Sequence, residues 1–437
     1  MQKNKTINRW FWKWHVISGL ISLPFMLLLC VTGILYLFKE YYNDFVYDEQ
    51  RFVSVPVSSS TFEKNITSYD EQLTSVRGFT DGHVVQVVLP LEDHEATAFR
   101  LHGKKGDHTR NFVYVDPYTA KVTGQVDQRD TLMYKIRKLH GELLLDKPGS
   151  YAIEIAASWF LVLILTGIYV WWPGKRFKQA GLAGFFTIRT KKGRRIFYRD
   201  LHAVGGFWLS VFMLIILAGG MPWTEVFGSQ LKWVQKQTNT GYPENWNNSR
   251  GLSSDQSLNN TGQIVSLDRM VSIAQSQNLE GQLTIKLPMN DEQVFSVMNR
   301  SFWLRDQRSL HFDQYSGDLI QSYEWSDVGI LMEMRQVAMR LHQGEYGLVN
   351  WIILLAIVFV FTLATASGLV SYILRKPKGR WGIPSVPESF RVDYGLGVLV
   401  VFLGIVFPMF GGSVVFILVL ERVLRLFAKD NLIQKTT

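Results

Sequence analysis

Four runs of apolar residues divide the chain into alternating membrane and polar segments. They cover residues 16–38, 151–172, 204–222 and 348–374. Because about 20 apolar residues in a helix match the hydrocarbon thickness of a bilayer, the pattern predicts four membrane spans. A fifth apolar stretch, 395–420, is interrupted by Pro408 and by Gly411-Gly412, so it either crosses once with a kink or enters the membrane and returns.

Two long polar loops, residues 39–138 and 224–340, show the alternation that is typical of strands. Each loop contains a strand, an Asp-x-Tyr-Thr/Ser turn and a second strand, at 112–122 in the first loop and 310–319 in the second, with a further strand before each hairpin at 84–89 and 295–298. A short amphipathic helix is predicted at 267–274 in the second loop. Each loop is therefore predicted to form a small α+β domain.

Helix, loop and helix occur twice, which predicts an internal parallel duplication. The expected fold is a membrane α-helical bundle with two α+β outer domains. The predicted segments are 1–38 (N-terminus and first span), 39–138 (first outer domain), 139–172 (second span), 173–199 (basic loop), 200–223 (third span), 224–340 (second outer domain), 341–374 (fourth span), 375–394 (short loop) and 395–437 (fifth apolar segment and tail).

The net charge of +9 is concentrated in three segments, which lie before the first span, between the second and third, and after the fourth. By the positive-inside rule these segments are cytoplasmic, so the N-terminus is cytoplasmic and both loops lie on the opposite face. This placement accounts for the basic residues without a nucleic-acid partner. The only cysteine, Cys30, lies in the first span, which we read as retained, so a haem would have to be bound non-covalently.

Two pairs of histidines occupy matching positions in the two halves. His15 and His202 begin the first and third spans, 187 residues apart, and His140 and His342 each precede a later span. Parallel repeats are related by an axis along the membrane normal, so each pair faces across that axis at equal depth. Two facing imidazoles are the axial ligands of a six-coordinate haem iron, so the pattern predicts two bis-histidine b-type haems.

Small residues recur beside these histidines. Gly19 and Gly206 lie one turn after His15 and His202, and Gly33 and Gly220 lie five turns after them, so all four are predicted to make room for porphyrin rings. His15 and His202 are predicted to lie near the cytoplasmic face and are called the inner pair, and His140 and His342 are called the outer pair. Thr166-Gly167 and Ser367-Gly368 are placed to flank the haem of the inner pair. The alternative is ordinary small-residue helix packing without any cofactor.

The remaining histidines are weaker candidates. His83, His94, His102 and His108 fall in one acidic loop whose spacing matches no compact metal site, and a solvated loop is the simpler interpretation. His311 alternates within a hairpin, which indicates a structural role. Glu154, the one carboxylate at the edge of the second span, is more consistent with an interfacial role than with a catalytic one.

The chain resembles the PepSY-associated transmembrane family, iron-regulated inner-membrane proteins that include bacterial ferric-siderophore reductases. The resemblance rests on Trp14-His15 through Thr32-Gly33, Val113 through Thr119, Leu139-His140 through Leu144, Thr166-Gly167 through Pro173, Arg199-Asp200-Leu201-His202 and Leu341-His342. It covers nearly the full length through the fourth span. Two positions depart from the family pattern: Ala120 stands where glycine is usual, and Ser367 stands where threonine is usual.

The resemblance implies a bacterial inner-membrane oxidoreductase whose two loops are periplasmic. It implies electron transfer from a cytoplasmic or quinol donor to an iron(III)-siderophore or other ferric chelate, with release of iron(II). Two other classes of protein remain open. The loops could be regulatory interaction modules that the spans merely anchor in lipid, or the repeat could form a transporter, although the first four spans lack the broken helices and central polar residues that transporters use.

Overall fold

A computed structural model describes residues 2–56, 66–102, 110–172, 185–249, 251–255, 263–387, 390 and 392–433. The chain forms two compact units. We call the first, residues 1–37, 136–234 and 335–437, the membrane unit, and the second, residues 38–135 and 235–334, the sheet unit. Part of the predicted basic loop, 173–184, and the candidate His108 lie outside the described residues.

Four long helices in the membrane unit confirm the four predicted spans. They are α1 (Gln2–Leu37), α6 (Lys147–Trp171), α7 (Arg194–Gly220) and α11 (Gly347–Arg375). All four are apolar and long enough to cross a bilayer. They pack in a ring, with α1 against α6, α6 against α7, α7 against α11 and α11 against α1. Helices α1 and α7 therefore lie diagonally across the bundle.

Two shorter helices precede the second and fourth spans and are separate from them. Helix α5 (Leu132–Glu142) ends before α6, and α10 (Ile330–Gln343) ends before α11. The chain breaks after α5 at Leu143 and Leu144, whose φ angles are 50° and 59°, and after α10 at Gly344, whose φ is 73°. Left-handed backbone cannot continue a right-handed helix. His140 and His342 thus lie on these preceding helices. The sequence predicted that both precede a span, although the predicted segments 139–172 and 341–374 did not separate the two helices.

Glu154 of α6 anchors a further helix of the membrane unit, α8 (Val226–Gln237). Its carboxylate is completely buried and accepts hydrogen bonds of 2.9 Å from the backbone N–H groups of Val226 and Phe227. A helix N-terminus carries unpaired N–H groups and partial positive charge, so it stabilises a buried carboxylate. The position of Glu154 is therefore structural.

The C-terminal apolar segment forms a helical hairpin. Helices α12 (Tyr394–Val406) and α13 (Pro408–Ile433) are separated only by Phe407. A Cβ on Gly404 would lie 3.1 Å from the Cα of Gly411, whereas residues seven apart in a straight helix are separated by about 10 Å. The chain therefore reverses here, as in the enter-and-return alternative. Trp159 of α6 holds the hairpin by donating to Ser413 Oγ at 3.0 Å.

In the sheet unit, both polar loops contribute to one antiparallel sheet rather than to two separate domains. Its eight strands, in the order β4-β3-β2-β1-β5-β6-β7-β8, are β1 (His83–Val88), β2 (Thr97–His102), β3 (Asn111–Val115), β4 (Val122–Asp127), β5 (Gln282–Lys286), β6 (Phe295–Arg300), β7 (Arg308–Phe312) and β8 (Leu319–Glu324). Six of these strands were predicted from the sequence, whereas β2 and β5 were not.

The pairing of β1 with β5 has two-fold symmetric register. Val87 pairs with Ile285, Gln86 with Lys286, and Val88 with Thr284. Each residue of the first loop here corresponds to the residue 198 positions later, the separation that also relates Asp70 to Asp268. Val87 and Ile285, which are 198 residues apart, lie at the centre of this paired segment.

Helices α4 (Tyr69–Phe79) and α9 (Leu267–Ser276) cover one face of this sheet. Ser68 and Ser266 are their N-caps, each accepting a hydrogen bond from the N–H three residues later. The helices also cap one another, because Asp70 accepts from the N–H of Leu267 and Asp268 accepts from the N–H of Tyr69. The structure confirms the short helix predicted at 267–274, whereas α4 was not predicted, although Ser68-x-x-Glu71 is a capping-box pattern.

The core lies between these two helices and the sheet. Its fully buried residues include Val76, Val87, Phe99, Val113, Met270, Ile285 and Val297.

The predicted turn chemistry is present in both hairpins: Asp116 Oδ1 accepts from Tyr118 N, and Asp313 Oδ1 accepts from Tyr315 N, each at 2.8 Å. The turns end in left-handed residues, Ala120 with φ 52° and Gly317 with φ 78°. Glycine usually occupies such a position because it lacks the Cβ that disfavours positive φ.

Candidate functional site: two facing histidine pairs

The inner pair lies between diagonal helices of the bundle. His15 is on α1 and His202 is on α7, and the centres of their imidazole rings are 6.2 Å apart with 62° between the ring planes. Because α1 and α7 lie diagonally across the ring of helices, the two side chains face one another across its centre. The predicted pairing of His15 with His202 is therefore present in the geometry.

The outer pair repeats this arrangement. His140 on α5 and His342 on α10 have ring centres 6.2 Å apart and ring planes inclined by 70°. Thr32 of α1 contacts His140 and lies 17 residues after His15, a rise of about 25 Å along the helix. The two pairs therefore stand one above the other at opposite ends of the bundle.

A neighbouring helix anchors the Nδ1 atom of each ring. The acceptors are Thr166 Oγ1 for His15 (3.0 Å), Thr32 Oγ1 for His140 (2.9 Å), Ala364 O for His202 (2.9 Å) and Ile216 O for His342 (2.7 Å). A carbonyl oxygen can only accept, so Nδ1 of His202 and His342 carries the proton. The hydroxyls of Thr166 and Thr32 already donate to Val162 O and Leu28 O at 2.7 Å, so they too accept from Nδ1–H.

The same tautomer follows for all four histidines. With the proton on Nδ1, the lone pair of each ring is on Nε2, and no hydrogen bond to any Nε2 of the four occurs among the described residues. A hydrogen bond from the far nitrogen is the usual way in which a protein fixes the orientation of a metal-ligating histidine. The Nδ1 hydrogen bonds therefore leave the lone pair of each Nε2 available, as metal binding would require.

Glycines bring the helix backbones close to these rings. A Cβ on Gly167 would lie 3.2 Å from His15 Cε1, and one on Gly368 would lie 2.7 Å from His202 Nδ1. In the outer pair, a Cβ on Gly33 would lie 3.5 Å from His140 Cε1, and one on Gly220 would lie 3.3 Å from His342 Cε1. Each histidine is therefore packed against a glycine of the helix behind it.

The glycines predicted to make room for porphyrin rings take different positions. Gly206 faces open space, with no atom within 4 Å of its absent Cβ, as the room-making hypothesis requires. Gly19 instead faces Leu163 Cδ2 at 3.6 Å, an ordinary packing contact. Gly33 and Gly220 lie against the outer imidazoles themselves, so they seat the rings of His140 and His342.

Electrostatics favour the neutral form of the outer rings, which lie outside the membrane-spanning helices. Burial and the neighbouring His342 ring lower the pKa of His140 to about 4, against the opposing effect of a hydrogen bond to the backbone at Leu29. Burial likewise lowers the pKa of His342. A neutral imidazole has the free lone pair that metal binding requires.

The ion pairs that fix the start of α7 were not predicted from the sequence. Asp200 is completely buried two residues before His202, and its carboxylate binds the guanidinium groups of Arg189 and Arg199, at 2.7 Å each. Arg189 also donates its backbone N–H to the same carboxylate. The signal was available in the Arg-Asp-Leu-His sequence, but nothing in it indicated which distant arginine would pair with Asp200.

The separation of the rings within each pair fits two histidines that bind one haem iron. Among the described residues no group of three or more histidine, cysteine or acidic side chains could hold a metal ion. Iron–nitrogen bonds of about 2 Å, with about 1 Å from each Nε2 to its ring centre, would separate two axial imidazole centres by about 6 Å. Both pairs, at 6.2 Å, match this distance. In a haem, the porphyrin would supply the other four ligands of the iron.

The other four histidines that the structure describes do not join these pairs. His311 is completely buried, with Nδ1 bonded to Ser296 Oγ and Nε2 to Asn245 O, both at 2.9 Å, so its role is structural as predicted. His83 and His102 pair across β1 and β2, and the ring of His94 stacks on Phe52.

Comparison with known proteins identifies one family that matches most of the chain. A family model described as "PepSY-associated TM region" matches residues 12–375, which include all four spans and all four histidines of the pairs. The chain belongs to this family, as its sequence motifs predicted. No curated protein sequence matches the chain.

Proposed function

From membership in the PepSY-associated transmembrane family, we propose that this protein is a di-haem oxidoreductase of the bacterial inner membrane. It passes single electrons from a cytoplasmic or quinol donor across the bilayer to an iron(III)-siderophore or other ferric chelate in the periplasm. Iron(III) prefers hard oxygen chelators, so its reduction weakens the complex and releases iron(II). The observation that carries the proposal is the pair of facing imidazoles at each end of the bundle, with ring centres 6.2 Å apart.

His15 and His202 would hold one b-type haem, and His140 and His342 the other. When bound, the two haems supply one-electron carriers within the bilayer. Each imidazole presents Nε2, while Thr166, Ala364, Thr32 or Ile216 restrains its Nδ1. The ligands of each pair come from different halves of the chain, which agrees with an internal duplication about an axis along the membrane normal.

Orientation follows from the basic segments. Arg189, Arg194, Arg195 and Arg199 precede or begin α7 at the end that carries His202, and lysine and arginine accumulate on the cytoplasmic side of membrane proteins. The inner pair is then cytoplasmic, and the outer pair and the sheet unit are periplasmic. No acid, base or nucleophile is needed, because the reaction transfers only electrons to the bound iron.

Haem content is the first test. The purified protein should contain two haems per chain and show the absorption spectrum of low-spin bis-histidine iron. His15→Ala and His202→Ala should each remove one haem, and the double variant should lose no more than either single variant. His83→Ala, an exposed histidine of the sheet unit, is the matched control and should retain two. A folded wild-type protein without haem would refute the proposal and favour the membrane-anchored interaction protein.

Electron delivery is the second test. In vesicles whose protein has been reduced and freed of excess reductant, a ferric chelate added on the side of the sheet unit should generate iron(II), detected with a ferrous-specific chelator. His342→Ala should stop reoxidation of the inner site. Iron(II) formation at the wild-type rate in His342→Ala would contradict a relay through both pairs.

A further inference from the structure

The sheet unit contains a cleft of about 620 Å³ on the face of the sheet opposite its core. The core side chains of the central strands, Val87 and Ile285, point toward the two covering helices, and alternate residues of a strand point to opposite faces. Gln86 and Lys286 therefore point into the cleft, and both line it. A cleft of this volume is in the range of pockets that hold small molecules.

A polar row crosses four strands at the base of the cleft. Arg100 on β2 pairs with Gln86 on β1, Gln86 pairs with Lys286 on β5, and Lys286 pairs with Ser296 on β6. Residues directly opposite in neighbouring strands lie side by side on one face. All four residues line the cleft, which places two cationic groups on either side of one glutamine.

No carboxylate among the described residues neutralises either cation. Within the described part of the chain, Arg100 and Lys286 take part in no ion pair, and the one acidic residue that lines the cleft, Glu292, is exposed. Lys286 donates to Asn247 O at 2.7 Å, Arg100 donates to Gln86 Oε1 at 3.4 Å, and Arg100 Nε is buried without a partner. Burial and the neighbouring Arg100 lower the pKa of Lys286.

The symmetric register supplies an internal comparison. The residues 198 positions away from Arg100, Gln86, Lys286 and Ser296 are, in that order, Met298, Thr284, Val88 and Ala98. They form a second row across the same four strands, in which each residue again pairs with the next. Where one row has Arg100 the other has Met298, and where one has Lys286 the other has Val88. The same strand geometry therefore forms with apolar residues at both cationic positions, so folding of the sheet does not require the cations.

Two partly buried cations without counter-ions cost free energy that a bound anion would recover. We propose that the cleft binds a small anion that presents several oxygen atoms, with Arg100 and Lys286 as its anchoring residues. The planar guanidinium of Arg100 suits bidentate binding of a carboxylate or phosphate group, and the ammonium of Lys286 binds a second oxygen. This site goes beyond the proposed electron transfer and requires no haem.

The test is anion binding to the full-length protein in detergent, by isothermal titration with citrate and, separately, with inorganic phosphate. We expect saturable binding of at least one probe, weakened by added salt because the contacts are charged. Tighter binding of citrate would assign a carboxylate ligand, and tighter binding of phosphate a phosphorylated one. Arg100→Met and Lys286→Val introduce the residues of the symmetric row and should each weaken binding about tenfold or more.

The double variant should bind neither probe, and its thermal unfolding temperature should remain close to that of the wild type. Lys121→Met removes an exposed cation from the turn between β3 and β4 of the same unit and should leave binding unchanged. Failure of the wild-type protein to bind either anion saturably, or wild-type affinity in the folded double variant, would overturn the proposal. Haem content is measured in the same samples. It should be the same in the wild type and in the Arg100 and Lys286 variants, so this test is independent of the proposed haem sites.

Discussion

Replacing Thr166 by valine would test whether the anchoring of Nδ1 prepares the inner pair for metal. Thr166 Oγ1 accepts from His15 Nδ1–H at 3.0 Å and donates to Val162 O at 2.7 Å. Valine has nearly the same shape, so the substitution removes the acceptor without opening a cavity. Val162 O loses only a second hydrogen bond, so the principal effect falls on His15.

The magnitude follows from the loss of one acceptor beside a partly buried ring. Leaving such a donor without its partner costs about 1–3 kcal/mol. Removal of an outer hydrogen-bond partner of a metal ligand typically lowers metal affinity by about 10-fold to 100-fold. A free energy of about 1–3 kcal/mol corresponds to roughly the same range of affinity, because about 1.4 kcal/mol is a factor of ten. The affinity of the inner site for haem should therefore fall by about 10-fold to 100-fold. The outer site, which Thr32 and Ile216 anchor, should be unchanged.

The assay is titration of haem into apoprotein, followed by the absorption of the low-spin complex. Thr362→Val is the matched control, because Thr362 also donates to the carbonyl four residues earlier, at 2.7 Å, but bonds to none of the four paired histidines. Thr32→Val should produce the same loss at the outer site alone. Equal haem affinity of Thr166→Val and Thr362→Val at both sites would show that the Thr166 hydroxyl does not prepare His15.

Three further outcomes are expected. Gly368→Ala should displace His202, because the new Cβ would lie 2.7 Å from its Nδ1, and the haem occupancy of the inner site should fall. Gly412 faces open space, so Gly412→Ala should leave that occupancy unchanged. Glu154→Gln should lower the unfolding temperature, at a cost of about 1–3 kcal/mol, because a buried carboxylate accepts from two N–H groups of α8; an unchanged temperature would contradict this. Burial raises the pKa of Asp313, but hydrogen bonds from the N–H groups of Ser316, Asp255 and Tyr315 outweigh this effect and lower the pKa overall. The ionised Asp313 carboxylate therefore stabilises the folded protein fully above the pKa of about 4 that aspartate has in the unfolded chain, and this stabilisation is lost as the pH falls through the lower pKa of the folded state. In Asp313→Asn, the unfolding temperature should depend less on pH over this range.

The membrane spans and the histidine pairing were predictable because each leaves a strong local signal. An uncharged apolar run of about 20 residues rarely occurs outside a membrane helix, and the common separation of 187 residues identifies His202 as the equivalent of His15. The two hairpins were predictable from Asp116 and Asp313, whose carboxylates bond to the turn backbone. In each case the residues that determine the structure are neighbours in sequence or recur in the repeat.

Features that depend on distant parts of the chain were not predictable in the same way. Strand β5 pairs with β1 across almost two hundred residues, and nothing in Gln282–Lys286 alone identifies this partner. Assigning Gly33 and Gly220 to the outer imidazoles required knowing that α5 and α10 break before the spans. The roles of Gly19 and Gly206 differ although their sequence positions match, because their neighbours, Leu163 in one case and open space in the other, come from tertiary packing.

The seam between β1 and β5 has a consequence for how the protein is made. When strand β1 emerges from the ribosome, one of its hydrogen-bonding edges has no partner. That partner, β5, follows 198 residues later, which is the separation between the paired residues Val87 and Ile285. At synthesis rates of about 5–20 residues per second, the edge waits about 10–40 s for its partner. An exposed edge strand is a template for pairing with other chains. The nascent first half is therefore the stage at which a holding chaperone would matter most, and a chain truncated after the second span would keep that edge open permanently.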